Sequence, residues 1–107
     1  MAYSPEYLDY ILDQLSMFGT VTPKKMFGGV GLFHNEKMFG MLGGDTFRLK
    51  VDENNRADYE ARGMQPYQSG TKKKGMPYWE VPAEIVENKE LLKQWADKAY
   101  QAAVNAR

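Results

Sequence analysis

The chain has 107 residues, and its 14 Lys and Arg residues balance its 14 Asp and Glu residues, which gives a formal net charge of +0. The length predicts a single domain over residues 1–107 and excludes a multidomain enzyme, while the charge balance argues against a protein that binds nucleic acid through general basicity. With no cysteine and one histidine, the chain cannot assemble a conventional zinc site. It has neither a signal-peptide pattern nor an apolar run near ~18 residues, which predicts a cytoplasmic protein without a membrane span.

A first helix is predicted to begin at residue 5. Ser4 is a favourable N-cap, and Pro5 suits the first helical position because proline lacks the N–H group that would stay unbonded there. Apolar residues then recur at helical spacing, and Gly19 is a suitable residue to end the helix. The apolar set consists of Leu8, Ile11, Leu12, Leu15 and Phe18.

Three strands are predicted next, over residues 25–33, 37–42 and 46–51. In the last of them Phe47, Leu49 and Val51 alternate with polar residues, which is typical of a strand with one buried and one solvated face. The three segments therefore predict an antiparallel meander.

The rest of the chain predicts a helix, two strands and a final helix. Asp52 or Asn54 is the expected cap of a short helix that continues through Tyr59 and is ended by Gly63. Strands are expected over residues 66–69 and 76–81, followed by a long helix capped by Asn88. The fold class is therefore α+β, in the order α-β-β-β-α-β-β-α, with an antiparallel five-stranded sheet and helices on one face.

Three segments resemble one known family. They are KMFGGVGLF at 25–33, FRLKVD at 47–52 and MPYWEVP at 76–82, and they occur in the order and near the spacing of the TfoX N-terminal domain family, also named for Sxy. That family includes regulators of natural competence, in which a second, C-terminal domain follows. The resemblance implies a stand-alone N-terminal domain protein and a fold similar to type III secretion chaperones.

The glycine cluster Gly28, Gly29 and Gly31 has two interpretations. Successive unhindered N–H groups can form a nest for an anion, but the cluster does not match a dinucleotide-binding fingerprint. Glycines within a strand pattern more often mark a bulge or a sharp bend. We therefore interpret these three glycines as structural.

The lysines of the loop at 70–75 also have two interpretations. Lys72, Lys73 and Lys74 lie between glycines, where they are typical of a solvated hairpin tip, although a contact with an acidic partner or a phosphate is the alternative. The loop lacks the lysine and hydroxyl residue of a phosphate-binding motif.

We expect His34, in a hairpin turn, to be exposed and inert. No catalytic constellation is present, so neither an enzyme nor a cofactor nor a metal is predicted.

Several large apolar residues fall in the predicted sheet segments. With helices on one face only, alternation places some of these residues on the uncovered face, where they suit a protein contact. The candidate residues are Met26, Met38, Met41, Met76, Tyr78 and Trp79, together with the lysines of the loop.

The sequence therefore predicts a non-enzymatic regulatory or adaptor domain that acts by protein–protein contact, with a homodimer as one expected form. Direct nucleic-acid binding is disfavoured by the charge balance. The alternatives are a nucleic-acid-associated transcriptional regulator and a small-ligand sensor that uses the glycine-rich bend.

Overall fold

The computed structural model describes residues 4–26, 29–43, 46–67 and 76–106. The predicted strand residues 68–69, together with Gly28, Lys72, Lys73 and Lys74, lie outside these ranges. The described helices are α1 (Pro5–Gln14), a 3-10 turn (Leu15–Met17), α2 (Arg56–Glu60), α3 (Ala83–Val86) and α4 (Lys89–Asn105). The strands are β1 (Thr22–Met26), β2 (Gly29–His34), β3 (Lys37–Gly43), β4 (Thr46–Lys50), β5 (Pro66–Tyr67) and β6 (Met76–Glu80).

The two long helices begin where their capping residues predict. The Ser4 hydroxyl accepts a hydrogen bond from the Tyr7 amide at 3.3 Å, ahead of Pro5. The Asn88 side chain accepts from the amides of Glu90 and Leu91, both at 3.1 Å. In each case a side-chain oxygen bonds N–H groups that have no partner within the helix.

The short helix α2 is capped differently from the prediction. Asn55 occupies the N-cap position, and its side-chain oxygen accepts from the Asp52 amide at 2.8 Å. Asp52 instead accepts from the Asn54 amide at 2.9 Å, so this side chain closes a local turn before the helix. The predicted end of this segment is confirmed, since Gly63 has a φ of 71°. The helix α3 was not predicted.

The predicted α+β class, with an antiparallel sheet, is confirmed. The strands lie in the order β1-β2-β3-β4-β6-β5, and every neighbouring pair is antiparallel. The segment 25–33, predicted as one strand, is divided between β1 and β2, and the chain reverses direction between Met26 and Gly29. The described part of the sheet therefore has six strands, one more than predicted, and β5 contributes two residues.

A β-bulge changes the side-chain pattern of β3. Leu32 lies opposite Gly40 and Phe33 lies opposite Met38, so Phe39 has no partner of its own on β2. The extra residue turns Phe39 into the core, where it is fully buried and its ring centroid lies 4.9 Å from that of Phe18.

One face of the sheet carries the hydrophobic core. Residues from all four described α-helices pack against alternate residues of β2, β3 and β4, which confirms the placement of helices on one face. The core contains Ile11, Leu15, Val30, Leu32, Phe39, Leu42, Phe47, Leu49, Val51, Tyr59, Val81, Ile85, Val86, Leu92, Trp95, Ala96, Ala99 and Ala103.

Candidate functional site

The face of the sheet opposite the core is the candidate site, and we call it the second face. Residues directly opposite each other in antiparallel strands share a face, so the register identifies its members. One row crosses five strands and consists of Lys24, Gly31, Met41, Arg48 and Glu80. The remaining members used below are Met26, Phe33, Met38, Lys50 and Tyr78.

None of these residues belongs to the core cluster. Met41 illustrates the reason, because its neighbours Gly40 and Leu42 point to the helices while Met41 points away from them. Met38 reaches the second face through the bulge, since strict alternation from Gly40 would have placed it in the core.

The β1 side of the second face is an apolar patch built over a glycine. A side-chain Cβ placed on Gly31 would lie 2.9 Å from the sulfur of Met26 and 3.0 Å from Cε1 of Phe33. These two side chains therefore close over the space that Gly31 leaves. Met26 and Phe33 are both half-buried, as are Met38 and Met41. The patch is thus apolar and only partly buried.

Two lysines lie over aromatic rings of the second face. The ammonium nitrogen of Lys24 is 5.0 Å from the centroid of Phe33, and that of Lys50 is 5.1 Å from the centroid of Tyr78. These distances allow cation–π attraction, which holds each lysine against the face. The ion pairs found among the described residues include neither lysine.

Among the described side chains of the second face, Tyr78 is the most buried aromatic residue. It is 6% exposed although it does not join the core cluster. Burial raises the pKa of its hydroxyl above the ordinary tyrosine value, because removing the group from water penalises the phenolate.

The structure brings together four of the residues predicted for protein contact and separates a fifth. Met26, Met38, Met41 and Tyr78 lie on the second face. Trp79 pairs with Leu49 on the core face, and its ring lies 6.0 Å from that of Tyr59. The side chain of the sixth, Met76, lies outside the described residues, as do Lys72, Lys73 and Lys74.

Sequence reasoning missed Phe33, Lys24 and Lys50 as members of this face. The alternation of charged and apolar residues along β4 is the signal that could identify Lys50, but the same alternation is typical of an ordinary solvated face. The positions of Lys24 and Phe33 depend on the pairing of β1 with β2, which no local pattern indicates.

Gly29 and Gly31 allow close approaches between neighbouring groups. A Cβ on Gly29 would lie 2.4 Å from the carbonyl oxygen of Leu42, closer than real contacts permit. The register shift of the bulge lies between Leu32 and Phe33, past Gly31, whereas Gly29 begins β2 directly opposite Met26 of the antiparallel strand β1. The structural role of these glycines remains a prediction. The close approach of neighbouring groups now gives the physical reason for it.

His34 is not the exposed turn residue that was expected. It is half-buried at the end of β2, and its ring centroid lies 4.8 Å from that of Phe18 and 4.9 Å from that of Tyr100. Its Nδ1 lies 2.7 Å from the carbonyl oxygen of Thr20, so Nδ1 carries the proton and donates this bond. The side chain joins the β2–β3 hairpin to the segment after α1 and to α4.

The described residues contain neither a cluster that could hold a metal ion nor a helix that could span a membrane. Within residues 4–26, 29–43, 46–67 and 76–106, no group of three or more His, Asp or Glu side chains is placed to hold a metal ion. No described helix combines the length and apolar composition needed to cross a membrane.

The architecture defines a class of protein: a small α+β domain whose antiparallel sheet is covered by helices on one face and carries methionine and aromatic side chains on the other. A model of the TfoX N-terminal domain matches residues 13–103. The chain therefore belongs to the TfoX N-terminal domain family, and the resemblance noted in the sequence is confirmed. No curated protein matches the chain.

Proposed function

We propose that this protein is a non-enzymatic regulatory or adaptor domain that acts by binding a partner protein through the second face. Family membership supports a domain like those of competence regulators. The observation that carries the proposal is the set of half-buried apolar side chains, Met26, Phe33, Met38 and Met41, on a sheet face outside the core. Methionine side chains adapt their shape to a partner, and they are common at binding surfaces.

The charges of the second face indicate which kind of partner it can bind. Lys24, Arg48 and Lys50 contribute three cations, and Glu80 contributes one anion at the margin. Because Lys24 and Lys50 are already held over aromatic rings, little side-chain freedom is lost when an anion binds them. The partner we propose is a protein segment that presents carboxylates beside apolar residues.

Site-specific photo-cross-linking tests this proposal. A photoreactive amino acid at position 41, in the centre of the second face, should yield a cross-link to a segment rich in Asp or Glu. The matched control is position 94, an exposed site on α4, where we expect no such product. The double variant Lys24→Glu, Lys50→Glu should lower the yield at position 41 several-fold, because charges at a binding surface mainly set the encounter rate.

Other outcomes would overturn the proposal in distinguishable ways. Equal products at positions 41 and 94 would indicate non-specific collision. A cross-link from position 41 to nucleic acid would favour the transcriptional-regulator alternative. A cross-link to a second copy of this chain would assign the face to a homodimer.

A further inference from the structure

A surface pocket lies away from the centre of the second face, between α1, α3 and the ends of β4 and β6. Its volume is about 230 Å³. This is smaller than the roughly 300–1,000 Å³ of pockets that enclose drug-sized ligands, so it suits a head group or a single side chain. The residues of its lining that carry the argument are Tyr7, Tyr10, Phe47, Glu80, Val86 and Glu87.

One wall consists of two tyrosine rings. Tyr7 and Tyr10 are three residues apart on α1 and therefore share one side of the helix. Their ring centroids are 6.0 Å apart and their planes differ by 26°, which is a stacked arrangement. Tyr10 is 40% exposed, so its ring is available to a ligand. Aromatic faces carry negative potential and attract cations.

The base of the pocket is apolar and fixed in place. Phe47 and Val86 belong to the buried core. The buried Gln14 side chain donates a hydrogen bond of 2.8 Å to the Val86 carbonyl oxygen, and this bond joins α1 to α3. The two helices that form the walls are thus held together before any ligand arrives, so a ligand need not order them on binding.

The charges at the rim are negative. Glu80, at the margin of the second face, and Glu87, after α3, are both exposed lining residues, and the described residues of the lining include no Lys or Arg. The ion pairs among the described residues use neither carboxylate. A pocket whose charged groups share one sign concentrates the opposite charge.

From this combination we infer that the pocket binds an organic cation, namely an ammonium or guanidinium group. The tyrosine faces would contact the alkyl or planar part of the cation, and the carboxylates would neutralise its charge. The same chemistry occurs in free small molecules and in the basic side chains of proteins.

Amide chemical shifts of the labelled protein provide the test. Choline should shift the amides of residues 7–10, 80–81 and 83–87 in a saturable way. Its uncharged carbon isostere, 3,3-dimethylbutan-1-ol, should bind at least several-fold more weakly. Equal binding of the two probes, or no shift at these residues with choline, would overturn the inference.

Variants distinguish choline binding at this pocket from a general effect of the protein's net charge. Glu87→Gln and Tyr10→Leu should each weaken choline binding by about 2–5-fold, the usual size of exposed ionic and cation–π contacts. Glu53→Gln removes the same charge at an exposed turn distant in sequence, and it should leave binding unchanged. If Glu53→Gln lowered the affinity for choline as much as Glu87→Gln does, the inference would be overturned. Both site variants should retain the wild-type melting temperature.

A second probe identifies the source of the cation. If a short peptide with one trimethyllysine binds more tightly than choline, the natural ligand is a modified or basic protein side chain. If choline binds more tightly, the ligand is a free small molecule. Either order supports the cation site.

Discussion

At the residue scale, the turn between β2 and β3 contains two non-glycine residues whose backbone is in the left-handed conformation. Asn35 has a φ of 50° and Glu36 a φ of 68°. Positive φ at both central residues suits the right-handed twist of a two-residue hairpin, and Asn followed by Gly is the preferred pair. The sequence provides the Asn but places a glutamate where glycine would be favoured.

Glu36→Gly should therefore stabilise the protein by about 0.5–1 kcal/mol, because glycine adopts positive φ without the steric cost of a Cβ. The midpoint of urea unfolding measures the change. Lys37→Gly is the matched control, since it adds glycine within β3 and should lower the midpoint. A lower midpoint for Glu36→Gly would show that the glutamate side chain makes a stabilising contact.

A second residue-scale feature is the hydroxyl of Tyr59. The residue is 1% exposed, and within the described parts of the chain its hydroxyl has no hydrogen-bond partner. The ring packs against Trp95 at 4.6 Å between centroids, so apolar packing determines its position. An unbonded polar group inside a core lowers stability.

Tyr59→Phe should raise the free energy of unfolding by about 1 kcal/mol, since it removes this hydroxyl and keeps the ring. Urea unfolding measures the effect. Tyr100→Phe is the contrasting variant, because its hydroxyl accepts a bond from Asn35 and its removal should not stabilise the protein. Destabilisation by Tyr59→Phe would reveal a partner for the hydroxyl.

At the element scale, the β2–β3 pairing depends on the missing side chain of Gly29. Gly29→Val should destabilise the protein by about 1–3 kcal/mol despite the strand preference of valine, because its Cβ would meet the Leu42 carbonyl oxygen. Gly43→Val is the matched control within the same sheet, since a Cβ there meets no atom of the described residues within 4 Å. Thermal unfolding gives the melting temperatures of both variants. Equal melting temperatures would show that the close approach to the Leu42 carbonyl oxygen does not limit the residue at position 29.

Much of the element pattern could be predicted from local signals. Ser4 with Pro5 and Asn88 determine where the long helices begin, and the alternation around Phe47 and Leu49 identifies β4. The division of 25–33 into two strands could not be predicted in this way, because β1 gains its strand character from pairing with β2. The bulge at Phe39 likewise depends on a core position beside Phe18.

At the scale of the whole molecule, the edge of the sheet at β1 is poorly suited to association. This strand contains Pro23, Lys24 and Lys25, all exposed. Proline removes a hydrogen-bond donor and lysines oppose the approach of another strand. Contact with a partner or a second copy is therefore expected at the second face and not along this edge.

Alkaline pH should destabilise the folded molecule. Burial, with a smaller contribution from the charge of Asp58, raises the pKa of Tyr59 far above the ordinary value near 10, and burial also raises that of Tyr78. Above about pH 10 the unfolded chain loses these protons while the folded chain retains them, so stability falls as pH rises. Urea midpoints between pH 8 and 11 should show this fall, and Tyr59→Phe should make it less steep. An unchanged slope in that variant would contradict the assignment to Tyr59.

The sequence by itself determined the α+β class, the two long helices, the family and the presence of surplus apolar residues in the strands, because capping and periodicity are local properties of the chain. Only the tertiary structure decided which of those residues share a face. The bulge moves Met38 outward and Phe39 inward, and the β4–β6 register places Tyr78 on the second face and Trp79 on the core face, where it packs against the core cluster. The pocket beside Tyr10 and Glu87 was also beyond local signals, since its walls are joined by a hydrogen bond between residues 14 and 86. Contacts between residues distant in sequence create both the second face and this pocket, and no local pattern indicates either.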